Sequence, residues 1–180
     1  MKVTIRPFEK KDIPKKVEWI NNPANNRYLH YDIPLCVEKT ERWFANIHNR
    51  KDRFDAVIDV DEIPVGTIGL LSIDFKNRKA EYYIAMGEVA YKGKGVAKKA
   101  SALIIDYGFN NLGLHRIYLY TEVGNTDAQR LFEKVGFVKE GILKDDILSH
   151  GEFADRIIYG ITKRESINDT NTEHRQYFRE

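Results

Sequence analysis

The stretch Tyr91-Lys92-Gly93-Lys94-Gly95-Val96-Ala97 decides how this chain folds at its centre. Its two glycines allow a tight turn, and apolar residues recur at helical spacing from Gly95 onward, so a strand is predicted to turn directly into a helix. The free N–H groups of a first helical turn, with the helix dipole behind them, bind anions. Residues 92–99 contain no acid and add four positive charges, from Lys92, Lys94, Lys98 and Lys99. The stretch therefore predicts a site for a phosphate-bearing ligand.

A glycine-rich turn with solvated lysines and no ligand would give the same pattern, because short glycine motifs often occur without function. The stretch lacks the Gly-Lys-Ser/Thr ending of a nucleoside triphosphate loop. It also lacks the glycine spacing of a dinucleotide-binding fold. Neither class of nucleotide enzyme is favoured.

The hydrophobic pattern around this stretch predicts the element order βααβββαβαββ. Strands are expected near residues 3–6, 54–60, 65–75, 80–86, 116–121, 138–143 and 153–162, and helices near 12–20, 37–49, 95–109 and 125–135. The order indicates an α/β fold with a mixed, largely antiparallel sheet of about seven strands and helices on both faces. We expect one domain over residues 1–162. Residues 163–180 carry mostly charged and polar side chains and are expected to form a polar tail.

Composition narrows the possible partners of this chain. Its 29 basic and 27 acidic residues nearly cancel, so no excess of positive charge favours nucleic acid or an anionic membrane. No stretch approaches the ~20 apolar residues that span a bilayer, and the start lacks a signal peptide's apolar run. The single Cys36 excludes an internal disulfide, and the five histidines show no metal-ligand spacing. We expect a cytoplasmic protein that binds no metal, membrane or nucleic acid.

A second informative stretch is Asn125-Thr126-Asp127-Ala128-Gln129-Arg130-Leu131-Phe132-Glu133-Lys134-Val135-Gly136-Phe137. Together the two stretches resemble the GCN5-related N-acetyltransferase (GNAT) superfamily, in particular its RimJ/RimL-like and diamine acetyltransferase-like branch. The acetyl-CoA loop of that family looks like Gln/Arg-x-x-Gly-x-Gly/Ala, which is met at Lys92, Gly95 and Ala97. Its later motif looks like Asn-x-x-Ala-x-x-Leu-Tyr-x-Lys-x-Gly-Phe, which is met at Asn125, Ala128, Leu131, Lys134, Gly136 and Phe137.

The resemblance implies acetyl-CoA as a co-substrate and no metal. Backbone groups of Gly93, Lys94, Gly95, Val96 and Ala97 would hold its pyrophosphate. Val89 and Tyr91, expected at the end of the preceding strand, would pair with the pantetheine arm as an added strand. The remaining residues implied on the cofactor side are Lys92, Asn125, Ala128, Phe132 and Lys134. Asn125 would reach toward the pantetheine arm, cap its own helix, or do both.

The reaction implied is direct attack of a neutral amine on the acetyl thioester within a ternary complex. It needs a proton acceptor, a donor to the developing oxyanion and an acid for the leaving thiolate. Glu81 is the first candidate for the base, although a paired carboxylate on the solvent face of a strand is an alternative interpretation. Glu122, at the end of the next strand, is the second candidate.

Phe132 departs from the family pattern, in which many relatives have a Tyr whose hydroxyl protonates the CoA thiolate. Three interpretations remain open. Water or a nearby hydroxyl such as that of Tyr83 supplies the proton, the thiolate leaves unassisted, or activity is weak or lost. A non-catalytic acetyl-CoA-binding regulatory protein is therefore the alternative function.

Recognition of the acceptor is expected from the loop at residues 25–32, where Tyr28, His30 and Tyr31 would line a pocket. A surface loop whose aromatic rings fold onto the core is an equally good interpretation. The acceptor would be a small-molecule or peptide amine: a polyamine, an amino sugar or a protein N-terminus. Many relatives are homodimers, so a homodimer is also expected. A nucleic-acid binder using the lysine cluster is disfavoured by the near-neutral total charge.

Overall fold

The computed structural model describes residues 1–47 and 49–164, so most of the predicted tail lies outside the described residues. The sheet contains β1 (Val3–Pro7), β2 (Phe54–Val60), β3 (Ile63–Asp74), β4 (Lys79–Met86), β5 (Arg116–Glu122), β6 (Val138–Ser149) and β7 (Glu152–Thr162). The helices are α1 (Ile13–Asn21), α2 (Pro23–Asn26), α3 (Val37–Ile47), α4 (Val96–Asp106) and α5 (Thr126–Val135).

The seven strands form one sheet in the order β1-β2-β3-β4-β5-β7-β6. Strands β1 to β4 are an antiparallel meander, β4 and β5 run parallel, and β7 pairs antiparallel with both β5 and β6. The predicted mixed, largely antiparallel sheet is therefore confirmed. A parallel pair needs a crossover connection, and α4 supplies it.

Helices cover both faces of the sheet, as predicted. On one face, Val96, Ala100 and Ile104 of α4 are fully buried in a large apolar cluster that also contains side chains from every strand except β6. On the other face, Phe8, Ile13 and Val57 form a smaller cluster beneath α1 and α3. We call the first the α4 face and the second the α1 face.

Strands β4 and β5 pair only at their beginnings, where Lys79–Glu81 lies beside Arg116–Tyr118. Each strand continues beyond that point while bonded to its other neighbour: β4 pairs with β3 up to Met86, and β5 pairs with β7 up to Glu122. The two strands therefore separate at the centre of the sheet and leave a split, while each stays hydrogen-bonded to its outer neighbour.

Three local predictions were wrong. Strand β6 runs on to Ser149 instead of ending near residue 143, because its polar residues lie on an exposed edge strand where no apolar alternation marks the element. Val89–Tyr91 form a 3-10 turn and not the end of a strand, since β4 ends at Met86. Part of the predicted loop after α1 is the short helix α2, which Asn22 caps by accepting from Ala24 N at 3.0 Å.

An ionic cluster fixes the start of α1 to the sheet. Arg6 on β1 donates to both carboxylate oxygens of Asp12 at 2.8 Å and to Asp59 on β2 at 2.9 Å. Asp12 is 5% exposed and also accepts from Glu9 N at 2.9 Å. Burial alone would raise the pKa of Asp12, but the bonds from Arg6 and Glu9 outweigh it and hold the pKa below its usual range.

We predict that Asp12→Asn lowers the free energy of unfolding by about 1–3 kcal/mol, because it removes the two-oxygen ion pair of the partly buried Arg6 guanidinium and leaves Asp59 as its remaining charged partner. A lowered folded-state pKa means that the stabilisation is present at neutral pH and disappears as pH falls below about 4. Urea titrations of both proteins at pH 7 and pH 3 measure this. Asp127→Asn is the control, since that side chain is 95% exposed and should change stability by at most about 0.5 kcal/mol. Equal losses in the two variants would contradict the prediction.

Candidate functional site

The glycine-rich turn between β4 and α4 leaves backbone amides open to a ligand. Gly93 and Gly95 have φ of +75° and +78°, and a Cβ at either position would meet nothing within 4 Å. The first hydrogen bond of α4 runs from Lys99 N to Gly95 O at 3.1 Å, so the amides of residues 96–98 precede it. The turn thus presents free N–H groups at a helix N-terminus, which is the geometry that an anion requires.

The lysines of the turn do not act as one group. Lys94, Lys98 and Lys99 are exposed, and Lys94 lies over the ring of Tyr91 at 5.8 Å. Lys92 instead donates to Ala24 O at 3.0 Å and to Asn25 Oδ1 at 2.7 Å, both on α2. Partial burial lowers its pKa. The predicted cluster of four lysines is therefore three exposed cations and one tether to α2.

The end of β4 is held against α1 and α2 by a close approach at Gly87. A Cβ there would lie 2.1 Å from the Trp19 ring, so only glycine fits. Asn25 Nδ2 donates to Gly87 O at 2.7 Å, and Trp19 Nε1 donates to Glu88 at 2.9 Å. These contacts and the Lys92 tether fix α2 beside the open edge of β4.

Helix α5 closes the other side of the split. Asn125 Oδ1 accepts from Ala128 N at 3.3 Å, so the predicted cap is confirmed, and Gly136 ends the helix with φ of +104°. Phe132 is 6% exposed, and its ring meets those of Tyr82, Phe137 and Tyr159 at centroid distances of 5.9–6.1 Å. Ala128 also packs on this cluster, whereas Lys134 is exposed.

Tyr83 does not lie near Phe132. Residues alternate along β4, so Tyr82 lies on the α4 face with Phe132 while Tyr83 lies on the opposite one. Its hydroxyl donates to Asp55 at 2.7 Å, and Asp55 is also paired with Arg53. Burial, followed by the Asp55 charge, raises the pKa of Tyr83 well above its usual value. Tyr83 is therefore excluded as a substitute for the missing acid on α5.

The α1 face of the split carries polar and aromatic groups. Glu81 lies there, opposite Tyr118 at the last paired position of β4 and β5. Burial raises the pKa of Glu81, and the Arg156 charge opposes this in part. Arg156 lies over the Tyr120 ring at 4.6 Å, and its charge is balanced by Asp146 at 2.5 Å.

The loop after α2 is fixed across the end of β5. Tyr28 donates from its hydroxyl to Gly124 O at 2.9 Å, and His30 Nε2 lies 3.2 Å from Glu122 Oε1. His150 Nε2 contacts the Arg27 carbonyl at 2.9 Å from the turn between β6 and β7. Two of the three predicted acceptor-side residues, Tyr28 and His30, are thereby placed beside the split.

Tyr31 points away from these two, toward the cluster under α1. Its ring lies 5.7 Å from Nζ of Lys16, which is itself 6% exposed and 3.6 Å from the Trp43 ring centroid. These contacts agree with an aromatic side chain folded beside the core, but Tyr31 is also 37% exposed, so its role in the acceptor pocket stays a prediction.

Sequence reasoning missed Tyr118, Tyr120, Ser149 and Arg156. Two of them had a signal: the alternation of Ile117 and Leu119 toward the core puts Tyr118 and Tyr120 on the face of Glu122. Ser149 and Arg156 had none, because their approach depends on the true end of β6 and on pairing between β5 and β7.

Comparison with known proteins decides the family. Residues 2–138 match the family described as Acetyltransferase (GNAT) domain. This chain belongs to the GNAT acetyltransferases. It is thus an acetyl-CoA-dependent N-acetyltransferase that acts on an amine.

Individual relatives cover most of this GNAT enzyme. It is 31% identical to spermidine N(1)-acetyltransferase of Escherichia coli (strain K12) over 156 residues, 86% of this chain and 83% of that protein. It is 30% identical to the putative ribosomal N-acetyltransferase YdaF of Bacillus subtilis (strain 168) over 176 residues, 91% of this chain and 92% of that protein. The crystal structure of spermidine N-acetyltransferase from Vibrio cholerae with CoA and spermine superposes with a TM-score of 0.86 at 27% identity, covering 92% and 98% of the two chains.

No helix among the described residues is long and apolar enough to cross a membrane.

We predict that Gly95→Ala weakens acetyl-CoA binding about tenfold. An alanine at φ +78° is strained by ~1–2 kcal/mol, and the turn relieves that strain by moving the amides that are expected to bind the pyrophosphate. Calorimetric titration with acetyl-CoA measures the change.

Gly113→Ala is the matched control, since Gly113 has φ of +67° with nothing within 4 Å but lies in the turn before β5. It should lower stability similarly and leave the Kd unchanged. A normal Kd in Gly95→Ala would exclude the turn as the anion site.

Proposed function

We propose that this GNAT enzyme acetylates a primary amine of a small polyamine. The observation that carries the proposal is the chemistry of the α1 face of the split, where Glu81 and Glu122 meet the rings of Tyr118 and Tyr120. Carboxylates and aromatic rings attract ammonium groups. Among the described residues, two arginines lie over these rings, Arg156 over Tyr120 and Arg116 over Tyr118. Asp146 balances the charge of Arg156 and Glu140 balances that of Arg116, so the face keeps its attraction for a polycation.

The names of relatives support the same substrate class. Those from Escherichia coli and Vibrio cholerae are spermidine acetyltransferases, and the Vibrio structure contains spermine. YdaF is named as a putative ribosomal enzyme, so a protein amine is the competing acceptor. The acidic and aromatic lining favours the polyamine.

On the donor side, we propose that the turn from Gly93 to Ala97, with Lys94, Gly95 and Val96, binds the pyrophosphate. The open edges of β4 and β5 bind the pantetheine arm. Val89 and Tyr91 flank this path from their 3-10 turn, and Lys92 acts through its tether to α2. Asn125, Ala128, Phe132 and Lys134 border it from α5. Acetyl-CoA supplies the acetyl thioester; the chain orients it.

The amine nitrogen loses two protons during the reaction. An ammonium gives up one before it has a lone pair to attack with, and the nitrogen loses another once the C–N bond has formed. We propose that Glu81 accepts the second proton, since burial raises its pKa and so makes the carboxylate a stronger base. That proton then passes to the CoA sulfur as the C–S bond breaks.

The remaining features of the enzyme are also proposed. The RimJ/RimL-like branch follows from the motifs at Lys92 and Asn125, and one catalytic domain occupies residues 1–162 with residues 163–180 as a tail. A homodimer is supported by the unpaired edge of β6, where Ile142 and Leu148 are exposed apolar residues. The free thiol of Cys36 fits the reducing cytoplasm.

We predict saturable release of CoA thiol with spermidine and spermine. Amino sugars, aminoglycosides and peptides with free N-termini should give less than about one-tenth of that kcat/KM, because they lack a second ammonium at polyamine spacing. A thiol-trapping assay across the panel measures this. Peptide turnover above polyamine turnover would replace the proposed acceptor, and thiol release by no amine would favour a CoA-binding regulator.

We predict that Glu81→Gln lowers kcat by about a hundredfold near pH 7. The carboxylate is the active form, so the wild-type rate falls as pH drops through the raised pKa, and the variant lacks that limb of the profile. At high pH hydroxide replaces the lost base and the two rates converge. Glu62→Gln is the control, because Glu62 is exposed in the turn between β2 and β3, outside the split. A profile in Glu81→Gln that matches the wild type would remove Glu81 as a proton acceptor.

A further inference from the structure

Glu122 is a nearly buried carboxylate whose described partners are a histidine and a serine. Its side chain is 10% exposed, and Oε1 accepts a hydrogen bond from Ser149 Oγ at 3.0 Å and lies 3.2 Å from His30 Nε2. A structural carboxylate buried this far is usually paired with Arg or Lys. The partners here are instead a hydroxyl that orients the carboxylate and an imidazole ring.

The contact with Glu122 decides which tautomer we assign to His30. An ionised carboxylate accepts hydrogen bonds and cannot donate them, so we assign the proton of a neutral His30 ring to Nε2, the nitrogen next to Glu122. The lone pair of a neutral ring is then on Nδ1. The His30 side chain is 37% exposed, so a ligand in the split has access to this ring. A carboxylate behind one ring nitrogen and a lone pair on the other is the arrangement of a general base.

The loop that carries His30 is held on both sides. The Tyr28 hydroxyl bonds to Gly124 O, and His150 contacts the Arg27 carbonyl. The titratable groups that surrounding elements bring to His30 are Glu122 on β5, His150 on the turn between β6 and β7, and Arg27 on its own loop. Of these, Glu122 is the group that makes an ion-pair contact with the His30 ring, at 3.2 Å.

We propose that His30 is the general base that deprotonates the incoming ammonium, and that Glu122 and Ser149 are positioning residues that hold its ring. This rests on the proposed function and gives the first of the two protons its acceptor. Nδ1 takes a proton from R–NH₃⁺ and becomes imidazolium, which later returns the proton to water. The freed nitrogen lone pair forms the C–N bond, and Glu81 takes the second proton on its way to the CoA sulfur.

His30 lies on the loop past which the amine would enter the split, so it is well placed to act before the amine reaches the thioester. Glu81 lies at the closed end of the split, whereas Glu122 lies at the last residue of β5, where the split is widest. An amine entering past the loop therefore reaches His30 first. His30, Glu122 and Ser149 come together only where the loop, the end of β5 and the turn between β6 and β7 meet.

The test compares His30→Gln, Glu122→Gln and the double variant with the wild type. At pH 7 with spermidine, His30→Gln should lower kcat/KM by about a hundredfold. Glu122→Gln should lower it as well and add nothing to the loss in His30→Gln, because the two residues act as one unit. The Kd for acetyl-CoA should be unchanged in all three. His115→Gln, an exposed histidine at the far end of β5, is the matched control and should behave as wild type.

An acceptor amine of low basicity shows whether His30 removes a proton from the substrate or only binds it. 2,2,2-Trifluoroethylamine is largely neutral at pH 7, so His30→Gln should acetylate it at a rate within about threefold of the wild type. Raising the pH should restore spermidine turnover in the same variant, since the amine then arrives neutral. Equal losses with both amines, or a wild-type profile with spermidine, would overturn the base assignment. A wild type that binds acetyl-CoA but acetylates no amine would overturn the proposed function itself, and the inference with it.

Discussion

The whole site depends on the parting of two parallel strands. β4 and β5 share only three residue pairs, and each then stays in the sheet through its outer neighbour. Backbone groups that would have bonded across the sheet are left facing each other over a gap. Unpaired strand edges usually invite association. Under the proposed function, the amides of the pantetheine arm pair with these edges, so the donor is bound by backbone groups that no side-chain substitution can remove.

The two faces of the sheet at the split differ in polarity and, under the proposed function, in their role. Alternation on β4 and β5 sends Tyr82 and Leu119 into the core beneath α4, and sends Glu81 and Tyr120 to the α1 face. The apolar face anchors the helix whose N-terminus is proposed to bind the phosphates. The polar face is the one proposed to receive the amine. One period-two pattern thus produces both a stable core and a reactive surface.

Much of this was predictable, and the limits have physical causes. The turn at Gly93–Ala97 and the cap at Asn125 are local features, where residue type decides backbone conformation, and both were predicted. The end of β6 was not, because an exposed edge strand needs no apolar alternation. The contacts of His30 with Glu122, and of Tyr83 with Asp55, join residues 92 and 28 positions apart. No pattern within one segment encodes such pairs.

The absence of a hydroxyl at Phe132 is then less damaging to catalysis than the motif alone suggests. A thiol has a pKa near ~8.5, so a thiolate leaves from carbon far more easily than an alkoxide would. The harder step is to remove a proton from an ammonium whose pKa lies near ~10. The proposed proton acceptors for that step, His30 and Glu81, lie on the polar face of the split. On α5, the Phe132 ring packs against Tyr82 and Tyr159. Phe132 therefore contributes an apolar ring to the core, and the step at which a hydroxyl would act, protonation of the leaving thiolate, needs little assistance from an acid.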